Sequence, residues 1–395
     1  MAQRRLAIAS KELSLRVVGS FDSFFATRIQ RLAINTDIPT TMVDELGNSQ
    51  HAGVITDVPN ITLTFSAFDV SVKIFAVLTG TDPDTYPALG VDVEELQEVD
   101  AIIYIKDADT ADYVKACHAR RLQIRDFSFN YSVDGESTEE YTAIGSEKRW
   151  FKNDVIVDRF TSGTTSFTLS KTPVQLKNGN YALTVILDGD YLTEVSTAPD
   201  VTGEYRVVAT TLTTFDTRTD KVIAVYQAAL LAADEWTDVG DAGIPVAIRG
   251  KNVEILIGVN SIERVQSVTI NGNLNVQPVR EMNNVNIVGY QRQVPTVEGT
   301  VTVLDTDTEL LDLLVNTGPT SDTEWALEGE CTVSGLALEV KLYDPCDPTT
   351  VVKTVYIPTF RVVGDSYTSN VNENAVQTFN WQSEDAQCIV YSGAK

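Results

Sequence analysis

The 395-residue chain is expected to be mainly β: one β-rich domain present twice, each copy with one helix-like segment, separated by a small all-β module. Three observations predict this. Strand signals dominate the whole length, one residue pattern occurs twice, and the segment between its two occurrences follows a different pattern.

The repeat is legible position by position. Ile29 opens IQRLAIN, and 236 positions later Val265 opens VQSVTIN. Gly53 precedes Pro59 by six residues, as Gly289 precedes Pro295, and an Asp follows each Pro by ten (Asp69, Asp305). Each copy then runs through an apolar, helix-like segment into Thr-Gly, at Thr79-Gly80 and Thr317-Gly318. The expected division is residues 1–160, 161–242 and 243–395. A duplicated β-rich domain in one chain points to a building block of a symmetric assembly.

Alternation of Val, Ile, Thr, Phe and Tyr with polar residues predicts strands over Leu13–Val18, Ile29–Asn35, Ile61–Phe65, Ala101–Ile105, Leu122–Val133 and Thr138–Ile144. In the second copy it predicts Val253–Gly258, Val265–Asn271, Val297–Val303 and Leu336–Leu342. Helices are expected over Asp69–Leu78 and Thr308–Val315; Thr306 and Glu309 have capping-box spacing, and Gly318 supplies a stop. Asp305, Asp307 and Glu309 belong to that helix start, because the Gly and distal Glu of a calcium loop are missing. In the middle, Asn178-Gly179 and Asp188-Gly189 mark hairpin turns of a compact β unit. Ala228–Glu235 reads as a brief linking helix and Val239–Gly243 as the final joint.

Composition narrows function. Against 55 acidic residues stand 30 basic ones, a formal charge of −25, so counterion release will not make this chain grip nucleic acid. Passing nucleic acid along without binding it remains compatible, and halophilic adaptation is another source of such acidity. The four cysteines form no CxxC pair, and only His51 and His118 could join them, which argues against zinc and for reduced thiols in a protein assembled in a cytoplasm. The N-terminal apolar run of about four residues is too short for a signal-peptide core. The helix-like apolar stretch near Ala224–Ala233 is about half a membrane span. No membrane association and no cofactor are expected. Two His, with no GxSxG, phosphate loop or HExxH, leave little to build an enzyme on, and Cys117 beside His118 is not a dyad, since strand neighbours face opposite ways. A repeated β-sandwich adhesin is the rival reading; the missing signal peptide and only four Trp count against it.

From Asn130 the chain reads NYSVDGESTEEYTAIGSEKRWF: a strand, a tight turn at Asp134-Gly135, a second strand from Tyr141 to Gly145, then Lys148 and Trp150. This resembles the major tail-tube proteins of long-tailed bacteriophages (or tailed archaeal viruses), in which a strand, a VDG turn, a Glu/Thr-rich strand and a closing Gly recur. In the second copy, Asn370–Gln382 departs from that pattern: Asn372 replaces Asp134 and the turn Gly is absent. The resemblance implies a tube-type antiparallel β-sandwich with one flanking helix in each copy and a structural virion protein of the tail, the tube itself or, as alternative, another tail or baseplate component, assembled in the host cytoplasm. It implies six tube domains per ring, hence a pseudo-hexameric trimer of this chain, with a true hexamer as alternative. Rings stack into a tube that viral DNA crosses without specific binding. Tape-measure, baseplate and tail-terminator proteins, and in contractile tails a sheath, are the implied partners.

On that resemblance the polar sides of the alternating strands line the lumen: Asp126, Ser128, Asn130, Glu140, Thr142, Thr62 and Thr64, with Glu298 and Thr300 in the second copy. Without the resemblance they read as solvated faces of ordinary antiparallel sheets. The expected wall is polar and carries more negative than positive charge. Thr36–Gln50 and Gly272–Asn286 are long for hairpin loops; their Met42, Val43, Leu46, Val276, Val279 and Met282 either stack on the next ring or fold back on their own domain. A basic cluster, Lys115, His118, Arg120 and Arg121, is expected to meet a neighbouring subunit's acidic run Asp92–Asp100, unless it is solvated or paired internally.

Overall fold

In the computed structural model the described residues are all except 1–12, 21–22, 27, 45, 47–50, 52, 69–71, 81–90, 93–95, 107–112, 153, 162–163, 178, 188, 216–221, 229–247, 259, 283, 285–286, 305–335, 370 and 372–373. The first half holds β1 (Leu13–Val18), β2 (Ser23–Ala26), β3 (Ile29–Asp37), β4 (Thr40–Val43), β5 (Gly53–Thr56), β6 (Asn60–Ala67), α1 (Val72–Leu78), β7 (Val91–Asp92), β8 (Glu98–Lys106), β9 (Tyr113–Ser132), β10 (Thr138–Gly145) and β11 (Glu147–Phe151). The middle holds β12 (Val155–Phe160), β13 (Ser166–Thr168), β14 (Leu183–Leu187), β15 (Asp190–Tyr191), β16 (Thr193–Glu194), β17 (Glu204–Val208), β18 (Thr211–Thr214) and β19 (Val222–Gln227). The second half holds β20 (Val253–Ile257), β21 (Asn260–Ser261), β22 (Val265–Asn273), β23 (Val276–Val279), β24 (Gly289–Arg292), β25 (Thr296–Leu304), β26 (Leu336–Asp344), β27 (Asp347–Thr368), β28 (Val376–Ser383) and β29 (Ile389–Ser392).

Strand pairings recur between the halves. In the first, β1–β2, β1–β8, β3–β6, β4–β5, β6–β10, β8–β9, β9–β10 and β9–β11 pair. In the second, β20–β21, β20–β26, β22–β25, β23–β24, β25–β28, β26–β27, β27–β28 and β27–β29 repeat them in the same order, all antiparallel.

The long strands β9 and β27 each serve two sheets. The first part of β9 pairs with β8 and β11; its last part pairs with β10 on one side and with β22, from the second half, on the other. The change of sheet needs a local break, supplied by Arg121 at φ 50 and by a register shift opposite Thr142 and Ala143. The result is an inner sheet of eight antiparallel strands, β3-β6-β10-β9-β22-β25-β28-β27, four from each half. Outer strands β1-β8-β9 cover it in the first half and β20-β26-β27-β29 in the second. One continuous core fills the gap, including Phe65, Phe127, Phe129 and Tyr141 of the first half and Val301, Phe379 and Trp381 of the second. Burying each such large side chain contributes about 1.5–3 kcal/mol.

Among the described residues the first half has one short helix, Val72–Leu78, within the expected Asp69–Leu78; Ile74, Phe75, Val77 and Leu78 are buried against the core. Its end is fixed by the Thr79 hydroxyl donating to the Phe75 carbonyl (3.0 Å) and by Gly80 at φ +70. A side chain at Gly80 would be strained and would meet the Gln97 amide at 2.6 Å. The expected helices Thr308–Val315 and Ala228–Glu235 lie outside the described residues, Ala228 excepted, as does all of Val239–Gly243.

Two four-stranded sheets, β12-β19-β14-β15 and β13-β18-β17-β16, form the middle module around Phe167, Leu212, Val222 and Tyr226. Val155–Phe160, expected in the first domain, belongs here instead, because it pairs residue for residue with β19. Ala224–Gln227, expected in a helix-like stretch, is strand. Among the described residues no helix is long and apolar enough to cross a membrane.

Candidate functional site: a polar sheet face and two open edges

Side chains alternate across the eight-stranded sheet as the pleat requires. Leu63, Phe65, Phe127, Phe129, Tyr141, Val268, Ile270, Val301 and Phe379 enter the core, and the other face is left polar. Its central row crosses all eight strands: Arg31, Ser66, Glu140, Ser128, Asn271, Glu298, Gln382 and Arg361. The row below contains Thr64, Thr142, Asp126, Asn273 and Thr296; the row above contains Thr138, Asn130, Thr269, Thr300 and Asn380. All nine residues predicted for this face lie on it, with Thr62 one row further out beside Asn35 and Ile144.

Short cross-strand bonds stiffen the face. The Ser128 hydroxyl donates to Asn271 Oδ1 (2.7 Å), across the strands that join the two halves. Thr269 and Thr300 hydroxyls lie 2.8 Å apart, Thr302 and Thr378 3.1 Å, and Thr64 and Thr142 3.4 Å. Sequence reasoning missed Arg31 and Arg361, which reduce the negative charge of this face without cancelling it. The face carries Asp37, Asp126, Glu140 and Glu298 against Arg31 and Arg361; Arg125, in the bulge beside Asp126, bonds it through Nε at 2.7 Å. Arg31 approaches Glu140 at 4.0 Å, and Arg361 Nη1 bonds Glu384 at 3.2 Å. Arg31 was legible, in phase with Asn35 along β3; Arg361 was hidden by the bulge in β27 between Val362 and Gly364.

Both ends of this sheet are open. Among the described residues β3 pairs only with β6, and the 364–368 part of β27 only with β28. Where the halves meet, by contrast, β9 and β22 pair from Ser132↔Ser267 to Asp126↔Asn273. Behind that seam, Lys353 Nζ sits 2.5 Å from Glu139 Oε1, both fully buried, with Lys353 4.9 Å above the Phe129 ring. Tyr131 and Tyr141 donate to the Glu139 carboxylate (3.4 and 3.0 Å). Burial, then the Glu139 charge, pushes both phenols well above their ordinary range, so they stay neutral donors.

The basic cluster is consumed within the chain, because adjacent strand residues face opposite ways. His118 Nε2 bonds Asp100 (2.8 Å), Arg120 bonds Glu147 through one nitrogen (3.0 Å to each oxygen), Arg121 bonds Glu98 (2.9 Å), and Lys115 lies 4.8 Å above the Trp150 ring. Asp100 is a rivet for the module. It also accepts from the Arg121 amide and from the Tyr191 hydroxyl, both at 2.9 Å. Burial alone would raise its pKa, but the His118 hydrogen bond and the His118 and Arg120 charges more than offset this and hold it below the ordinary carboxylate range.

The two expected loops are largely hairpins, β4–β5 and β23–β24. Leu46 and its counterpart Met282 are fully exposed near their tips; Met42 and Val279 are exposed, and Val43 is half-buried. Val276 is buried, which removes it from the expected contact set. The second hairpin is docked on the first half: Arg280 bonds Asp57 and Asn60 (2.9 Å each), and the Tyr290 hydroxyl lies 2.8 Å from the Arg121 carbonyl oxygen.

No family model matches the chain, and no curated protein matches it. Among solved structures it is similar to a chain of an extracellular contractile injection system, the PVC sheath-tube complex in the extended state, at 16% identity over 38% of this chain and 94% of that one, TM-score 0.28. It is similar to the tube terminating cap of the anti-feeding prophage at 11% identity, covering 40% of this chain and 98% of that one, TM-score 0.29. A chain of the native gene transfer agent particle virion matches at 14% identity over 37% and 98%, TM-score 0.26.

Proposed function

We propose that this chain is a structural virion protein that polymerises as stacked rings into a viral tail tube, the channel for DNA delivery. It has no enzymatic role in this reading. Residues 1–152 and 248–395 are the two tube-type units, and residues 154–228 form an accessory module on the outer side of the first. The observation that carries the proposal is the eight-stranded sheet, built equally from both halves, polar on one face, open at both ends. Open sheet edges aggregate unless something pairs them, and ring closure pairs them all.

Three chains at eight strands each would close a wall of 24. With strands about 4.8 Å apart and tilted about 40°, such a wall is roughly 48 Å across at the backbone, wide enough to leave an aqueous channel. Thr62, Thr64, Asp126, Ser128, Asn130, Glu140, Thr142, Glu298 and Thr300 then face the lumen. DNA passes without being held, because each lumenal Arg has a carboxylate close by and leaves few free cations for phosphates. The fully exposed Leu46 and Met282 are the contacts of choice between stacked rings, since Met282 stays exposed on a hairpin that is already docked sideways. Tape-measure, baseplate and terminator proteins are the expected partners.

The test is negative-stain microscopy of the purified protein together with its mass in solution. Rings or tubes, with a ring mass of three times 43.3 kDa, are expected. A chain that stays monomeric, with no ring at any concentration, contradicts the reading.

A further inference from the structure

The seam inside one chain maps, position by position, onto the chain's two open edges. Register makes the correspondence explicit. Tyr141 faces Phe65 and Phe127, as Phe379 faces Val301 and Asp365; β9 therefore maps onto β27 with a shift of 238. The opening strand β3 maps onto β22 with a shift of 236. Several side chains that β22 and its neighbours bury against the first half have more exposed counterparts on the first half itself.

Val268 and Ile270 are fully buried at the seam, whereas Leu32 and Ile34, in the same places on β3, are only partly buried. Val390 of β29 is fully buried where β29 pairs with β7; Trp150, its counterpart on β11, is 50% exposed. Tyr290 is docked on the first half, while its counterpart Val54 is 54% exposed. The receiving side shows the same contrast: Phe129 is fully buried, and its counterpart Tyr367 is 59% exposed.

Side-chain volumes are matched at each seam separately. A Cβ on Gly272 would lie 1.9 Å from the Phe127 ring, so that aromatic demands glycine opposite it. At the open edges the corresponding residues are Thr36 and Asp365, which need no such gap.

We infer that a second copy of this chain docks on these edges in the arrangement the two halves already adopt, its β3 pairing with the 364–369 segment of the first copy. The register is Asp37 opposite Gly364, Asn35 opposite Ser366 and Leu32 opposite Ser369, with Trp150 buried in the place of Val390. This rests on the ring reading above and adds to it the interface, the register and the anchoring side chain. The contact is heterologous, so it closes only as a ring. As a half-exposed aromatic side chain whose counterpart Val390 is fully buried, Trp150 carries a large share of the binding energy.

The test is an oxidative cross-link in the full chain, with the exposed Cys346→Ser removed as a competitor. Asn35→Cys combined with Ser366→Cys should give disulfide-linked dimers and trimers of the chain. Asn35→Cys with Tyr367→Cys, one residue out of register and on the other face, should give at least tenfold less. Separately, Trp150→Lys should keep the wild-type circular dichroism and raise the concentration needed for rings at least tenfold. Rings that form without the 35–366 cross-link, or that form normally with Trp150→Lys, overturn the docking inference and leave the tube reading standing. A wild-type chain that makes no rings overturns both.

Discussion

The two halves of the chain share one strand order but cover their outer sheets differently. In the first half Ile102, Tyr104 and Ala116 are fully buried against Val155, Ile186, Ile223 and Val225 of the module. At the same register positions the second half has Glu339, Lys341 and Thr354. There Lys341 and Glu339 pair at 3.4 Å, and the Tyr343 hydroxyl donates to Glu254 at 2.6 Å. A duplicated fold preserves strand order and core and rewrites its surfaces to suit what covers them. The face that receives the module is apolar with a few riveted polar groups; the matching face of the second half carries a Glu–Lys pair and a Thr354 hydroxyl that donates to the Gly393 carbonyl.

The sharpest break of the comparison is at the paired lysines. Lys353→Met leaves Glu139 buried without its cation and should cost about 3–5 kcal/mol in urea unfolding. Lys115→Met, at the corresponding place on the first half, should cost under about 1 kcal/mol, because Lys115 is only partly buried. Equal effects at the two positions would show that the halves are not related as described.

Copying a residue from one outer face to the other comes next. Ile102→Glu puts the carboxylate of Glu339's position against the module and should cost roughly 3 kcal/mol, releasing the module to limited proteolysis. The reverse change, Glu339→Ile, should leave stability within about 1 kcal/mol of wild type. Undiminished protease resistance in Ile102→Glu would contradict the packing.

A smaller effect is expected at the strand seam. Gly272→Ala drives a methyl into Phe127 and should cost about 1–3 kcal/mol, whereas Thr36→Ala should be nearly silent in the monomer.

The smallest contrast concerns pH. Because the folded-state pKa of Asp100 is depressed, its contribution is fully present above the ordinary carboxylate pKa and is lost as pH falls through the lower folded value. The melting-temperature gap between wild type and Asp100→Asn should therefore stay constant from pH 7 to about 5 and shrink only in stronger acid. A gap that closes near neutrality would place the control elsewhere.

Much of this fold was legible because strands of five to nine residues obey a period of two. The polar phase of Asp126–Ser132 and Thr138–Thr142 came from that alone, and the repeat from the matched Gly, Pro and Asp spacings of the two copies. What failed was tied to breaks in the period. Arg121 at φ 50 and the shift near Thr142 let β9 run for 20 residues through two sheets, so the sequence pattern stopped at Leu122. Register shifts in β27 hid Arg361 and the open edge in the same way. The hairpins read as loops because their short strands are separated by longer polar links. The cluster at Lys115–Arg121 looked like a patch because the sequence shows adjacency but not which way each side chain leaves the strand. Val155–Phe160 went to the wrong unit because its partner, β19, lies more than 60 residues away.

The most direct test of the central claim is a cryo-EM reconstruction of the assembled particle at a resolution that separates strands. The expected result is rings of three chains with a 24-stranded wall, Ser128 and Glu140 facing the lumen, and three outward modules 120° apart. Six chains per ring, with only the first halves forming the wall, or a polar face turned outward, would contradict the account.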